Sequence, residues 1–435
     1  MVDGAGQLLA STATLMERIA PYHLLVELAR GKLNQVRQQT AEWEAAGLEV
    51  SPTLQELLHR AIHAFAQAIL DLPDIESYRQ AQIALALTYQ AADELIDLYS
   101  QQLFQIRHER QAKLDTAMGC RLNMMLPATF DQDFLSTFNM LCIPMSWKLI
   151  EPTETIYSWS DVDALLDWAE ARKIPVCAGP LIDFTQSGFP DWLKGWEGDA
   201  LTLTSFMCDY VETAVNRYKN RIKRWQLSAG SNSSSVLNLA EDDRIRLSAR
   251  LAEAAWSIDP NLELVLGISQ PWGDYLARED QTYSPFVFAD TLLRAGLNFA
   301  AFELEFFMGV SPRGTYTRDV LESSRIIDMF ALLGTPLQLA LSYPSSIQED
   351  LLADPQFSVG DLGHYREGFT PHAQAEWVSM MVSGSLCKPH VCGLYWDHFI
   401  DALPHRIPNG GLVNANGLIL PALERLRSLR GEHLR

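Results

Sequence analysis

Between Met118 and Asp397, short apolar runs alternate with amphipathic helical stretches, and this rhythm limits the possible folds more than any other feature of the chain. The runs are Met118 to Met125, Phe138 to Ser146, Ile174 to Ile182, Ile222 to Ala229, Leu262 to Ser269, Phe299 to Phe306, Pro336 to Ser342 and Val391 to Asp397. Most are apolar on both faces. A half-solvated antiparallel strand would alternate apolar and polar residues, so these runs read as parallel strands covered by helices. The intervening helices are well formed locally. Ser160 is placed to cap one whose Val162, Leu165, Leu166 and Ala169 form a buried stripe, with Arg172 and Lys173 at its negative end. Others are predicted near Ala200 to Tyr218 and Glu241 to Trp256. About eight β/α units in roughly 300 residues is the size of a closed (β/α)8 TIM barrel. A doubly wound open sheet is the competing architecture, but no Gly-rich phosphate fingerprint follows the first strand.

Residues 1–115 show helical periodicity and almost no strand signal, which divides the chain into an all-helical N-terminal region and a barrel over residues 116–430. Leu54, Leu57, Leu58, Ala61, Ile62 and Phe65 form one stripe, and Ile83, Leu87, Ala91, Leu95, Leu98 and Leu103 another. Ser51-Pro52 and Pro73-Asp74 mark helix starts. These helices are expected to pack on the barrel; the alternative is a dimerisation arm that makes a homo-oligomer.

A net charge of -20 argues against non-specific binding to nucleic acid or to an anionic membrane, both of which reward Lys and Arg. The 6 cysteines have no metal-type spacing and sit mostly in apolar runs, as reduced thiols would. With no basic leader and no long apolar segment in view, the expected location is cytoplasmic.

In a barrel of this kind, chemistry gathers at the carboxyl ends of the strands. There the chain reads Gly179-Pro180-Leu181-Ile182-Asp183-Phe184, Ser228-Ala229-Gly230-Ser231-Asn232, Gln270-Pro271-Trp272-Gly273, Phe302-Glu303-Leu304-Glu305-Phe306 and Tyr395-Trp396-Asp397-His398. Indole faces can stack on pyranose rings while carboxylates and amides take the hydroxyls, so these ends suit a neutral sugar.

The run W-K-L-I-E-P-T-E-T-I-Y-S-W from Trp147, followed by V-C-A-G-P-L-I-D-F and P-D-W, resembles the xylanases of glycoside hydrolase family 10. The resemblance resumes at Arg217-Tyr218-Lys219, Arg221, Trp225, Asp259-Pro260 and Trp396. It implies a TIM barrel acting on a β-linked glycan, as an endo-1,4-beta-xylanase does, with no cofactor. It also shows departures. The family's acid/base Glu falls on Gly230 and its nucleophile Glu on Leu341. Its His, Trp and Lys fall on Gly179, Asp183 and Ser146, and one of its Gln residues falls on Glu305.

Glu305 and Asp183 remain as candidate catalytic carboxylates. Strands three and six lie on opposite sides of a barrel, so the pair could flank a substrate with room for a water, as inverting hydrolysis needs. Glu303 shares the Glu305 face about 6.6 Å deeper, and two carboxylates so placed would hold one proton to higher pH. Trp396, Trp272, Gln270, Asn232, Glu303, His398 and Trp147 are the candidate substrate contacts. The competing structural readings are an ion pair of Glu303 with Lys223, and loop capping by Asp183 beside Thr185 and Ser187. Asn232 stands in the Ser-rich stretch Ser231 to Ser235, which reads equally as a solvated loop. No metal site is expected, because His372, His390, His398 and His405 form no helical His-x-x-x-His pair and no carboxylate interleaves them at ligand spacing. Three functions follow: a family 10-like glycoside hydrolase with relocated carboxylates, a catalytically inactive carbohydrate-binding barrel, or a helical-scaffold protein whose barrel is only a platform. Residues 345–371 read as a lid or a surface excursion.

Overall fold

A computed structural model describes every residue except Ser235. Eight parallel strand positions close on themselves: β1 (Ala117–Arg121), β2 (Met140–Ile143), β3 (Val176–Ala178, continued at Ile182–Asp183), β4 (Arg224–Ala229), β5 (Glu263–Ile268), β6 (Ala301–Phe307), β7 (Leu337–Ser342) and β8 (Val391–Trp396). Each lies within an expected run or overruns it by a single residue. Closure comes from β8 on β1, with Trp396 opposite Cys120, and from β3 on β4, with Asp183 opposite Ala229. Helices between the strands cover the outer face, so the fold is a (β/α)8 TIM barrel preceded by helices. The helix Ala200–Tyr218 begins and ends where its stripe predicts. Ser160 is the first residue of its helix rather than a cap and makes no capping bond.

The N-terminal region contributes α1 (Leu24–Ala45), α2 (Pro52–Leu70) and α3 (Ile75–Arg110). Pro52 opens α2 because its missing N–H costs nothing there, and Ser51 Oγ accepts the Leu54 N–H. With 36 residues, α3 is about 54 Å long and buries apolar residues along much of it. Leu87, Ala91 and Leu95 of the long stripe are buried within the chain, and Ile83 is its exposed member at 37%. Ala91, Leu95 and Phe104 belong to the same core as the barrel residues Trp377, Leu386 and Leu423. A side chain at Gly384 would begin 3.3 Å from Ile96 Cγ2, so glycine there lets the helix Pro371–Leu386 lie close against α3. The stripe therefore packs against this chain's own elements. Among the described residues, no helix is long and apolar enough to cross a membrane.

Candidate functional site at the barrel mouth

Alternation along β6 turns Glu303 and Glu305 into the barrel, and Asp183 at the end of β3 turns inward across from them. The three carboxylates do converge, but what lies between Asp183 and Glu305 is an arginine. Arg313 Nη1 donates to Asp183 Oδ1, Nη2 donates to Glu305 Oε1, and Nε lies 3.0 Å from Glu305 Oε2. Ser269 Oγ also donates to Glu305. The space expected for a water between the two carboxylates is thus filled by a guanidinium. Burial works against charge on Arg313, and Asp183 and Glu305 outweigh it, holding the group above its ordinary pKa.

Arg121 and Arg406 extend the network. Arg121 Nη1 donates to Asp397 Oδ1 at 2.9 Å, Arg406 Nη2 donates to the same oxygen, and Arg406 Nη1 lies 3.7 Å from Asp183 Oδ2. Burial would raise the Asp397 pKa, yet Arg406 and the other cations hold it well below the usual carboxylate range. Beneath the network, the space bounded by Cys142, Cys177, Gly179, Glu303 and Trp396 is about 10 Å³, room for one water at most.

Several candidate contacts have structural partners here. Glu303 pairs with no lysine: Gln226 Nε2 donates to its Oε1 at 2.7 Å and Gln338 Nε2 donates to its Oε2, while Lys223 is exposed and meets Glu263. Burial, with a smaller contribution from Glu305, pushes the Glu303 pKa up. Asp183 does not cap its loop; Ser187 turns instead to Asp354 at 2.6 Å. Trp396 is 2% exposed and its Nε1 donates to Gly410 O. Trp147 is buried, stacks on Tyr210 and donates to Glu151 Oε2. Asn232 exchanges two hydrogen bonds with the Ser269 backbone, so it is a fixed strut; Ser235, the end of its Ser-rich stretch, lies outside the described residues. Gln270 Nε2 donates to Pro312 O. Trp272 is half-buried, with the Arg318 guanidinium 4.4 Å from its ring centre.

Residues 345–371 close over the mouth. Asp354 and Gln356 bond Ser187 and Gln186 of the loop after β3, and Asp350 reaches His405 and the Asn409 N–H. At the far end, His364–Tyr365 pairs with Gly6–Gln7 of the N-terminus.

His398 is 3% exposed and its Nε2 bonds Asp401 Oδ1 at 2.8 Å, so it presents no edge to a sugar. Burial would lower its pKa, but Asp397 and Asp401 hold it up at about 9, while burial and the neighbouring His398 push His405 down. His398, Asp401 and His405 bring their ligand atoms within 4.8 Å of one another, so a carboxylate does stand between two of the histidines at ligand spacing. The spacing His398-x2-Asp401-x3-His405 was the signal, hidden because the segment is a loop and not a helix. Arg313 was missed for a related reason. It sits in a loop after β6, where periodicity is silent.

At the two positions where the resemblance expects glutamates, the chain offers none. Gly230, with φ 76, is one residue past β4. On β7, Gln338 and Ala340 face the interior, so Leu341 turns outward and the inward residues Ala340 and Ser342 carry no acid.

Residues 111–229 match the model of Glycosyl hydrolase family 10. Endo-1,4-beta-xylanase A of Xylanibacter ruminicola is 29% identical over 131 residues, 28% of this chain and 34% of that protein. Endo-beta-1,4-xylanase Xyn10C of Cellvibrio japonicus is 24% identical over 116 residues, 26% and 18% of the two chains. The matched segment thus spans about a third or less of these curated relatives. Xylanase 10B from Thermotoga maritima superposes with a TM-score of 0.55 at 16% identity, over 75% of this chain and 98% of its own. A GH10 protein from Paenibacillus barcinonensis gives 0.55 at 17%, over 74% and 96%. Together with the closed ring of eight parallel strands, these findings make the C-terminal three-quarters of the chain a (β/α)8 barrel whose residues 111–229 are similar to glycosyl hydrolase family 10.

Proposed function

We propose that the protein is a catalytically silent, glycan-directed relative of the family 10 xylanases, with its ancestral reaction centre rebuilt as an ion-pair network. The observation that carries this reading is the placement of Arg313. A side chain at Gly230 would begin 3.3 Å from the Arg313 guanidinium carbon, so arginine fills the space into which a glutamate at 230 would extend. The same guanidinium ties up Asp183 and Glu305. A retaining displacement needs two free carboxyl groups about 5 to 5.5 Å apart, and an inverting one needs a water between them. Neither arrangement is available while Arg313 bridges the pair. A neutral β-linked glycan is the ligand class that the xylanase relatives support, and the acidic surface disfavours nucleic acid.

The second reading is inverting hydrolysis by Glu305 and Asp183, and one observation favours it: both carboxylates contact one guanidinium and so face one centre. Incubation with xylan, mixed-linkage glucan and aryl glycosides, following reducing ends, separates the two. We expect no turnover from the wild type above the rate of Glu305→Gln. Turnover that disappears in Glu305→Gln would sink the silent-barrel reading and install the second.

A further inference from the structure

We propose that His398, Asp401, His405 and Asp350 form a binding site for a divalent transition-metal ion, zinc by preference, that pins the 345–371 segment shut over the barrel. Three of the four side chains come from the loop that follows β8, and Asp350 comes from the closing segment itself. His398 Nε2 lies 2.8 Å from Asp401 Oδ1, His405 Nε2 lies 2.9 Å from Asp350 Oδ2, and His405 Nε2 lies 4.0 Å from Asp401 Oδ1. Tetrahedral zinc, with bonds of about 2.0 to 2.2 Å, sets its ligand atoms about 3.3 to 3.5 Å apart, and these separations bracket that spacing. Two imidazoles and two carboxylates are a donor set that suits zinc and its neighbours.

Hydrogen bonding at His405 points the same way. Its Nδ1 lies 2.8 Å from the Leu403 carbonyl, which can only accept, so Nδ1 carries the hydrogen. In the neutral ring, Nε2 is then a lone pair, and it faces a carboxylate oxygen 2.9 Å away. Two acceptors face each other unless a cation joins them. A histidine that ligates a metal through one nitrogen while the other donates to a backbone carbonyl is the usual arrangement around such ions.

Charge gives an independent argument. Asp350 and Asp401 have side chains only 8% and 3% exposed, and among the described residues neither has an arginine or lysine within ion-pair distance. Arg121 and Arg406 are committed to Asp397 and Asp183. Two buried carboxylates need two positive charges. A proton on His398, favoured by Asp397 and Asp401, supplies one of them, and a second proton on His405 would place two cations in rings stacked 4.3 Å apart, which a buried site resists. One divalent ion supplies the same charge without that repulsion. A cation held by both Nε2 atoms must lie near both ring planes, so binding turns one imidazole out of the stack.

The position gives the ion its role. Asp350 begins the stretch in which the Asp354 N–H bonds His405 O and Asp354 bonds Ser187 across the mouth. An ion here would fasten the root of that stretch to the end of β8. It would hold the mouth closed whether or not the barrel acts on glycan, so the inference does not depend on the functional reading.

The full-length protein, stripped with a chelating resin and then dialysed against zinc, should retain about one equivalent by elemental analysis and gain roughly 5 °C in Tm. Asp401→Asn and Asp350→Asn, each checked for native size and circular dichroism, should each lose at least tenfold in zinc affinity. The stripped wild type should be cut faster by protease within residues 345–371. Cobalt loaded into the wild type should give the intense visible absorption of a tetrahedral site, which tests the proposal even if both variants fail to fold. Less than a tenth of an equivalent of zinc with an unmoved Tm would overturn it, as would undiminished zinc binding by the Asp350→Asn, Asp401→Asn double variant.

Discussion

The guanidinium carbon of Arg313 lies 3.3 Å from the point where a side chain on Gly230 would start. The two residues are complementary: one has given up its side chain, and the other fills the resulting space with a positive charge. Around that charge Asp183 and Glu305 close, and the barrel mouth becomes a packed ionic interior rather than a cleft.

Removing the charge should therefore be costly. Arg313→Met leaves Glu305, 2% exposed, without its cation and Asp183 with only Arg406 at 3.7 Å, and unpairing a buried charge costs about 3 to 5 kcal/mol. Chemical denaturation should show that loss, and adding Glu305→Gln to Arg313→Met should recover a substantial part of it. A loss under 1 kcal/mol in the single variant would mean that water already screens the pair.

Gly230→Glu tests the same contact from the other side. The position has φ 76, where an L-residue pays about 1 to 2 kcal/mol, and the new Cβ would press on Arg313 and lie 3.5 Å from Phe184 Cβ. The variant should be destabilised, and Arg313→Met in the same chain should cost less than it does alone, because the glutamate and the arginine compete for one space. Strictly additive losses would contradict the shared-volume account.

Much of the architecture was legible in the residues. Runs such as Leu264 to Ile268, apolar on both faces, read as parallel strands under helices, and all eight appear where their composition put them. The inward turn of Glu303 and Glu305 was legible for the same reason, since strand alternation is rigid. Legibility stopped at the loops. Arg313, Arg406, Asp350 and Asp401 lie on segments with no repeat, and their partners are 130 residues away in the case of Arg313 and Asp183. One cue remained unused: three acids brought into a barrel interior demand cations, and the sequence had to supply them from somewhere near the strand ends.

One buried ion pair should add to the stability that the helical region lends the barrel. Lys32 Nζ of α1 bonds Asp319 Oδ2 at 2.6 Å, both side chains under 5% exposed, and Asp319 Oδ1 caps the helix Val320–Ala331 by accepting the Glu322 N–H. Lys32→Met should cost about 3 to 5 kcal/mol, and Lys32→Met with Asp319→Asn clearly less than the sum of the two singles. Unfolding in two separate transitions, with the second unchanged in Lys32→Met, would show instead that the helices and barrel fold independently.

Asp93 on α3 should give the folded protein a pH dependence of its own. Burial raises its pKa to about 6 even though Arg366 Nη2 donates to it at 2.8 Å, and the nearby Asp319 carboxylate adds to the rise. A carboxyl whose folded pKa exceeds its unfolded value of 3.8 binds its proton more tightly in the native state. Its contribution is therefore fully present below about pH 4 and is lost as pH rises through about 6. The span is about 2 units, on the order of 3 kcal/mol. Asp93→Asn removes the titration, so between pH 4 and pH 7 the variant should lose less stability than the wild type by up to that amount. Urea denaturation at several pH values measures the difference directly, and parallel curves for the two proteins would show that Arg366 keeps Asp93 ionised throughout.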